Sequence, residues 1–427
     1  MMENLNAMKD GRLVVILGAG ASTEFLSPSG SGPLSTDTLS AQVFENSGPL
    51  LRYIRRGFGI PEEKRLPCWC EALMADTAGC LRKQFPKPTF EQFIHLIDLT
   101  CSLAFSREIG ISVDGDKSRD LFTKSIVGAF LDLHGGKLED WSDCRTVRLP
   151  SLIRNYILDY VKDHHPVSSA DSVDCWVNAI RKLKHEFDEV SIYSLNYDAL
   201  MPTVVHRLVE NGVSIETGFG LGMSTGQPRV FAAAQFYAAD CVFAPLHGSI
   251  HFSESQNGGG VQFMQDLFLA SENRSTGPGF ATFTPEEGIN FNVSMISGLS
   301  KFKAFEIDPY QTYYRRLSKD LVDCQKILII GYGGADPHLK TLLDGKLMEG
   351  KQFIVVTKLA DQSTGDLATK QMELLQPTID RYLPFGVQTR AKLQNTRIHL
   401  TGAGEFLTRL LNSTEDLASL GKPYPLE

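Results

Sequence analysis

Short apolar runs that stop at a turn and give way to helix-patterned sequence constrain this chain more than any other feature. Arg12-Leu13-Val14-Val15-Ile16-Leu17, the run VSIYSL at 190–195, KILII at 326–330, KQFIVV at 351–356 and RIHL at 397–400 are short and rich in β-branched residues. Runs of that length read as strands rather than helices. Strands of this kind alternating with helices indicate an α/β fold with a parallel, doubly wound sheet covered on both faces. Between the first two runs the pattern changes. TLSAQVFENS, TFEQFIHLIDLTCSLAF, RDLFTKSIVGAFLDLH, PSLIRNYILDYVKDH and DCWVNAIRKLKHEF all space apolar residues at three and four. A large, mostly helical insertion over 38–187 is therefore expected. From 203 to 300 the sequence reads as loop-rich with short strands, and Asn257-Gly258 signals a hairpin.

Composition narrows the function classes. A formal charge of −8 and a pI near 5.7 give no electrostatic ground for direct nucleic-acid binding. No apolar run approaches the roughly 18 residues that span a bilayer, and MMENLNAMKDGR has no apolar centre of the kind a signal peptide needs. A cytoplasmic protein without a membrane partner is expected. The eight cysteines lack the two CxxC pairs of a four-thiolate zinc site. His247 and His251 lack a third ligand at matching spacing, so no metal is expected.

Four stretches carry chemistry. Gly18-Ala19-Gly20-Ala21-Ser22 follows the first strand, where glycines let backbone N–H groups approach a phosphate and a helix start favours its charge. A tight strand-to-helix turn has the same sequence, and Thr401-Gly402-Ala403-Gly404 repeats the pattern near the C-terminus. The third glycine of the dinucleotide fingerprint is missing, with Thr23 in its place. The second stretch, Ser194-Leu195-Asn196-Tyr197-Asp198, lies at the carboxyl end of a strand, where open α/β sheets bind ligands. Its Asn196 and Asp198 suit a ribose, an amide or a water, and equally suit a helix cap. In Leu246-His247-Gly248-Ser249, histidine takes up protons near neutral pH and the glycine leaves room beside it. The last stretch, Gly331-Tyr332-Gly333-Gly334-Ala335-Asp336, offers a second backbone cradle. Asp336 there suits a ribose contact or the cap of a helix that begins at Pro337.

The ordered set GAGAS, Thr89-Phe90-Glu91, SLNYD, LHGSIH and IIGYGGAD resembles the sirtuin-like domains of bacterial antiphage defence proteins, from about residue 12 to about 411. The resemblance implies a Rossmann-like domain formed by 12–37 and 188–411, interrupted by the helical insertion 38–187 and followed by a C-terminal tail, 412–427. It implies that NAD+ is the substrate, hydrolysed to nicotinamide and ADP-ribose so that an infected cell is starved. Asn196 and His247 match the catalytic asparagine and histidine, and Asp198 the contact to the nicotinamide amide. Gly18, Ala19, Gly20 and Ser22 match the phosphate-binding turn, while Gly331, Tyr332 and Asp336 fall in the adenosine-side pocket. The chain lacks the zinc module of protein-deacetylating sirtuins. A sensor that binds NAD+ or ADP-ribose without turnover, a structural subunit, and a transferase or cyclase remain as alternatives. A toxic NADase must be held inactive until infection, which implies a homo-oligomer or a partner in trans, and relatives of this size resemble those paired with a HerA-like hexameric ATPase, or with a short Argonaute in its place.

Overall fold

The computed structural model describes residues 11–26, 35–45, 47–62, 68–108, 145–167, 169–220, 229–254, 261–265, 294–297, 307–333, 336–343, 350–357, 396–399, 401–413 and 422–423, with residues 64, 66, 267, 270, 348 and 417. Strand β1 (Arg12–Leu17) passes through Gly18 into a four-residue helix, α1 (Ala19–Ser22). Among the described residues, six helices then precede the next strand: α2 (Thr36–Phe44), α3 (Ser47–Gly57), α4 (Cys68–Gln84), α5 (Phe90–Glu108), α6 (Arg145–His164) and α7 (Ala170–Glu186). β2 (Glu189–Ser194) leads to α8 (Leu200–Glu210), β3 (Arg229–Val230), α9 (Ala233–Ala238), β4 (Cys241–Pro245), β5 (Phe252–Glu254) and β6 (Val261–Phe263). The remainder is α10 (Tyr310–Asp323), β7 (Lys326–Ile330), α11 (Pro337–Leu343), β8 (Gln352–Val356), β9 (Thr396–His399), α12 (Ala403–Asn412) and β10 (Lys422–Pro423).

The main sheet runs β10-β9-β8-β7-β1-β2-β4, all parallel except the edge strand β10, which pairs antiparallel to β9. Taken in chain order, its parallel strands follow the Rossmann arrangement, in which the chain moves outward from β1 on one side and then restarts on the other. The direction reverses between β1 and β7, so the crevice for a ligand belongs above Gly18 and Gly331. β1 shows why both faces must be covered. Leu13, Val15 and Leu17 share one core with Ile54, Leu73, Ile97, Ile153 and Ile180 of the helical region, whereas Val14 and Ile16 share the other with Tyr193, Tyr313, Leu317 and Phe353. A smaller antiparallel sheet, β3-β6-β5, pairs Phe252 with Phe263. The predicted Asn257-Gly258 turn of that hairpin and the helical stretch 119–134 lie outside the described residues.

The 412–427 segment is not merely a tail. Leu417 is fully buried and Lys422–Pro423 extend the sheet. Among the described residues, no helix is long and apolar enough to cross a membrane.

Candidate active site

The glycines of the first turn are needed because two backbones touch there. Gly18 N–H donates to Ile330 O (2.9 Å) and Gly20 N–H to Gly331 O (3.0 Å). A Cβ on Gly18 would sit 2.5 Å from Tyr332 Cα, and one on Gly20 2.8 Å from Gly331 Cα. Gly331 itself has φ +63°, a left-handed conformation that costs other residues energy. The β1 and β7 turns are therefore welded together at the switch point. This differs from the expectation of free phosphate-binding N–H groups, since those of Gly18 and Gly20 are already bonded.

Asn196 ties the β2 end to the same turn. Its Nδ2 donates to Gly18 O (2.9 Å) and to Ser22 Oγ (2.8 Å), which fixes the plane of the amide. Ser22 thus serves by holding Asn196. Asp198 is buried below, where its Oδ1 accepts the Leu200 N–H at the start of α8 (2.9 Å). Burial raises its pKa above the usual carboxylate value, partly offset by hydrogen bonding from the Ser22 hydroxyl. Ala199 holds the N-cap position, so Asp198 braces the turn into α8 rather than capping it, and it is not among the residues that line the cavity.

His247 follows β4, and two segments hold its loop, the end of β2 and Ser294–Ser297. Leu246 N–H donates to Ser194 O, Ile296 N–H to His247 O, and Ser249 N–H to Ser294 O. Gly248, at φ +102°, bridges to Met295, and a Cβ there would run into Ser294 O. The imidazole is 5% exposed, and its Nε2 lies 2.9 Å from Asp336 Oδ2. That contact is an ion-pair distance without the alignment of a good hydrogen bond. Asp336 Oδ1 meanwhile accepts the N–H groups of His338 and Leu339 (2.9 Å each), which caps α11. Tyr332 closes the loop between them, because its hydroxyl accepts the Asp336 N–H (3.1 Å) and donates to Asp336 O (3.2 Å).

These pieces border one cavity of ≈ 1450 Å³. Gly18, Ala19, Asn196, His247, Gly331, Tyr332 and Asp336 line it, whereas Gly20, Ser22 and Asp198 do not. Its other wall comes from α2, α4 with the following Phe85, and α5, including Asp37, Glu91 and His95. Glu91 and His95 stand four apart on α5 and so share a helix face. That spacing is visible in the sequence; that the face meets the sheet end is not. Among the described residues, no lysine or arginine lines the cavity. Among the described residues, no group of three His, Cys, Asp or Glu side chains is placed to hold a metal ion.

No family model and no curated protein matches this chain. Forty-one chains of solved structures match it. One of them, reported as "Structural Basis for the Mechanism and Regulation of Sir2 Enzymes", covers 94% of this chain and 91% of its own at 13% identity and a TM-score of 0.33. A likeness that loose carries no argument about chemistry.

Proposed function

We propose that this cavity binds NAD+ and hydrolyses its nicotinamide–ribose bond. The observation that carries the reading is convergence: Asn196, His247 and Asp336 come from the ends of three separate parallel strands and meet at the sheet's switch point. The volume exceeds the roughly 300–1,000 Å³ of a pocket for a drug-sized ligand and leaves room for a dinucleotide. Among the described residues no lysine or arginine stands on the walls, so a pyrophosphate there would draw on backbone groups other than the Gly18 and Gly20 N–H.

In the reaction the C1′–N bond breaks and its electron pair leaves with nicotinamide, neutralising the pyridinium. Positive charge develops on the ribose, as in glycoside cleavage. Water supplies the new C1′–O bond and gives up one proton. Asn196, anchored through Nδ2, has its amide oxygen left to orient a ribose hydroxyl or the attacking water. Asp336 engages Nε2 of His247, so Nδ1 is the nitrogen that takes the proton and passes it to solvent. Asp198 supports the Asn196 loop from beneath. Depletion of NAD+ in a cell under phage attack, by a homo-oligomer working with a HerA-like ATPase, completes the reading and rests on the motif resemblance alone.

Incubation of the purified chain with NAD+, followed by chromatography, is expected to give nicotinamide and ADP-ribose in equal amounts. Asn196→Ala and His247→Ala are expected to lose about 10²–10⁴ in kcat while remaining folded. Bound NAD+ with no nicotinamide released would make the protein a sensor; a cyclised or protein-linked product would make it a cyclase or transferase. Light scattering on the same sample tests assembly, and a strict monomer would count against self-association.

A further inference from the structure

The charged pair buried deepest in the helical region sits at one end of a chain of contacts that leads to His247. Arg154 on α6 is 0% exposed. It donates from Nη1 to Asp98 Oδ1 on α5 (3.0 Å) and from Nη2 to Asp98 Oδ2, while Nε reaches Ser297 Oγ (3.1 Å) and Nη2 also reaches Ser297 O (2.8 Å). Ser297 is itself 0% exposed and belongs to the short buried segment Ser294–Ser297. That segment grips the histidine loop at three adjacent points: Ile296 N–H to His247 O (2.9 Å), Ser249 N–H to Ser294 O (3.0 Å), and the Gly248–Met295 bridge. Gly248 allows this approach because it has no Cβ to meet Ser294 O.

An apolar pair would fill the Arg154–Asp98 site at no cost in stability, since taking two charges out of water offsets their attraction. What an apolar pair lacks is direction. The guanidinium presents donors in a rigid fork, and here two of its nitrogens fix the backbone and side chain of one serine. We propose that Arg154 is a positioning residue for His247, acting through Ser297 and the backbone of Ile296, so that the helical region sets the geometry of the base. This rests on the reading of His247 as the base of NAD+ hydrolysis.

The test uses the full chain with Arg154→Met and Asp98→Leu combined, because removing one partner alone would strand a buried charge. NAD+ turnover is expected to fall about 10- to 100-fold in kcat with KM within about twofold, because a displacement near 1 Å costs that much. A purely structural role would leave kcat per folded molecule unchanged, whatever the melting temperature. The second readout needs no turnover: 13C-histidine NMR, with the His247 resonance identified by its loss in His247→Asn. In the double variant that resonance shifts, and Arg154→Lys restores part of the shift. If the wild-type chain releases no nicotinamide, the reading of the reaction fails and the NMR result alone decides the positioning claim. If the double variant does not fold, Ser297→Ala and Arg154→Lys are read the same way. A folded variant with an unmoved His247 resonance overturns the proposal.

Discussion

Asp336 has two carboxylate oxygens with different duties, and a single substitution separates them. Oδ1 caps α11 through the N–H groups of His338 and Leu339, while Oδ2 faces His247 Nε2. Asparagine keeps a cap acceptor but has no charge to hold an imidazolium. Asp336→Asn is therefore expected to leave the melting temperature nearly unchanged and to lower kcat about 10- to 100-fold, as loss of a histidine's orienting carboxylate does at other sites. Asp336→Ala is expected to match that loss in rate and to cost about 1 kcal/mol more in stability for the missing cap. Steady-state kinetics beside thermal melts distinguish the two duties. If Asp336→Asn turned over at the wild-type rate, the contact with His247 would be incidental to catalysis. The sequence offered the cap and the ligand contact as alternatives, and the folded chain shows that one carboxylate caps the helix and also faces the histidine.

Among the elements, the two Gly-Ala-Gly turns show what sequence could and could not reveal. GAGAS and TGAGEF share Gly-Ala-Gly between a strand and a helix, yet the first is packed against the Gly331 turn and the second receives the carboxylate of Glu24, which accepts Gly404 N–H (2.9 Å). The helix start of α12 is thus occupied by the protein's own anion. Partners so distant in sequence leave no local trace, and the same holds for the Ser294–Ser297 clamp. The parallel strands were legible because β-branched runs report burial on both faces. α4 was not, because Ala72, Ala75, Ala78 and Gly79 dilute its apolar stripe. The strand before α12 carries its own test. His399 is 5% exposed against the Phe406 ring (4.9 Å between centroids), and burial, with Arg409 adding to it, pushes its pKa down to about 4. The folded value lies below the ordinary 6.5, so the folded chain resists a proton that the unfolded chain accepts. The contribution of His399 to stability is complete above about pH 6.5 and is lost as pH falls toward about 4. His399→Leu keeps the apolar contact and removes the titration, so its urea midpoint should fall less than that of the wild type across that window. Parallel curves would show that the histidine does not titrate this way.

At the scale of the whole molecule, the helical region and one face of the sheet share a single core. The insertion between β1 and β2 invites description as a separate domain, but Leu13, Val15 and Leu17 pack in the same continuous cluster as residues from α2 through α8 and from α12. Arg154 adds a polar connection from α6 to the segment that holds the histidine loop. A unit that completes another unit's core cannot lose its structure first without exposing apolar area worth about 25 cal/mol per Å² on both sides. The helices and strands should therefore unfold as one cooperative body. The chain supplies its own probe, since its three tryptophans are Trp69, Trp141 and Trp176, all within the insertion. Trp176 is buried and meets Phe25, just beyond the first glycine turn, edge-on at 5.9 Å. Tryptophan fluorescence then reports the helical region, and hydrogen exchange read by mass spectrometry on peptides covering β7 and β8 reports the sheet. In a urea series the two midpoints are expected to coincide. Fluorescence that changes while β7 and β8 stay protected would identify the helical region as an independently unfolding unit. The route from Arg154 to His247 would then cross a joint able to open while the sheet stayed intact.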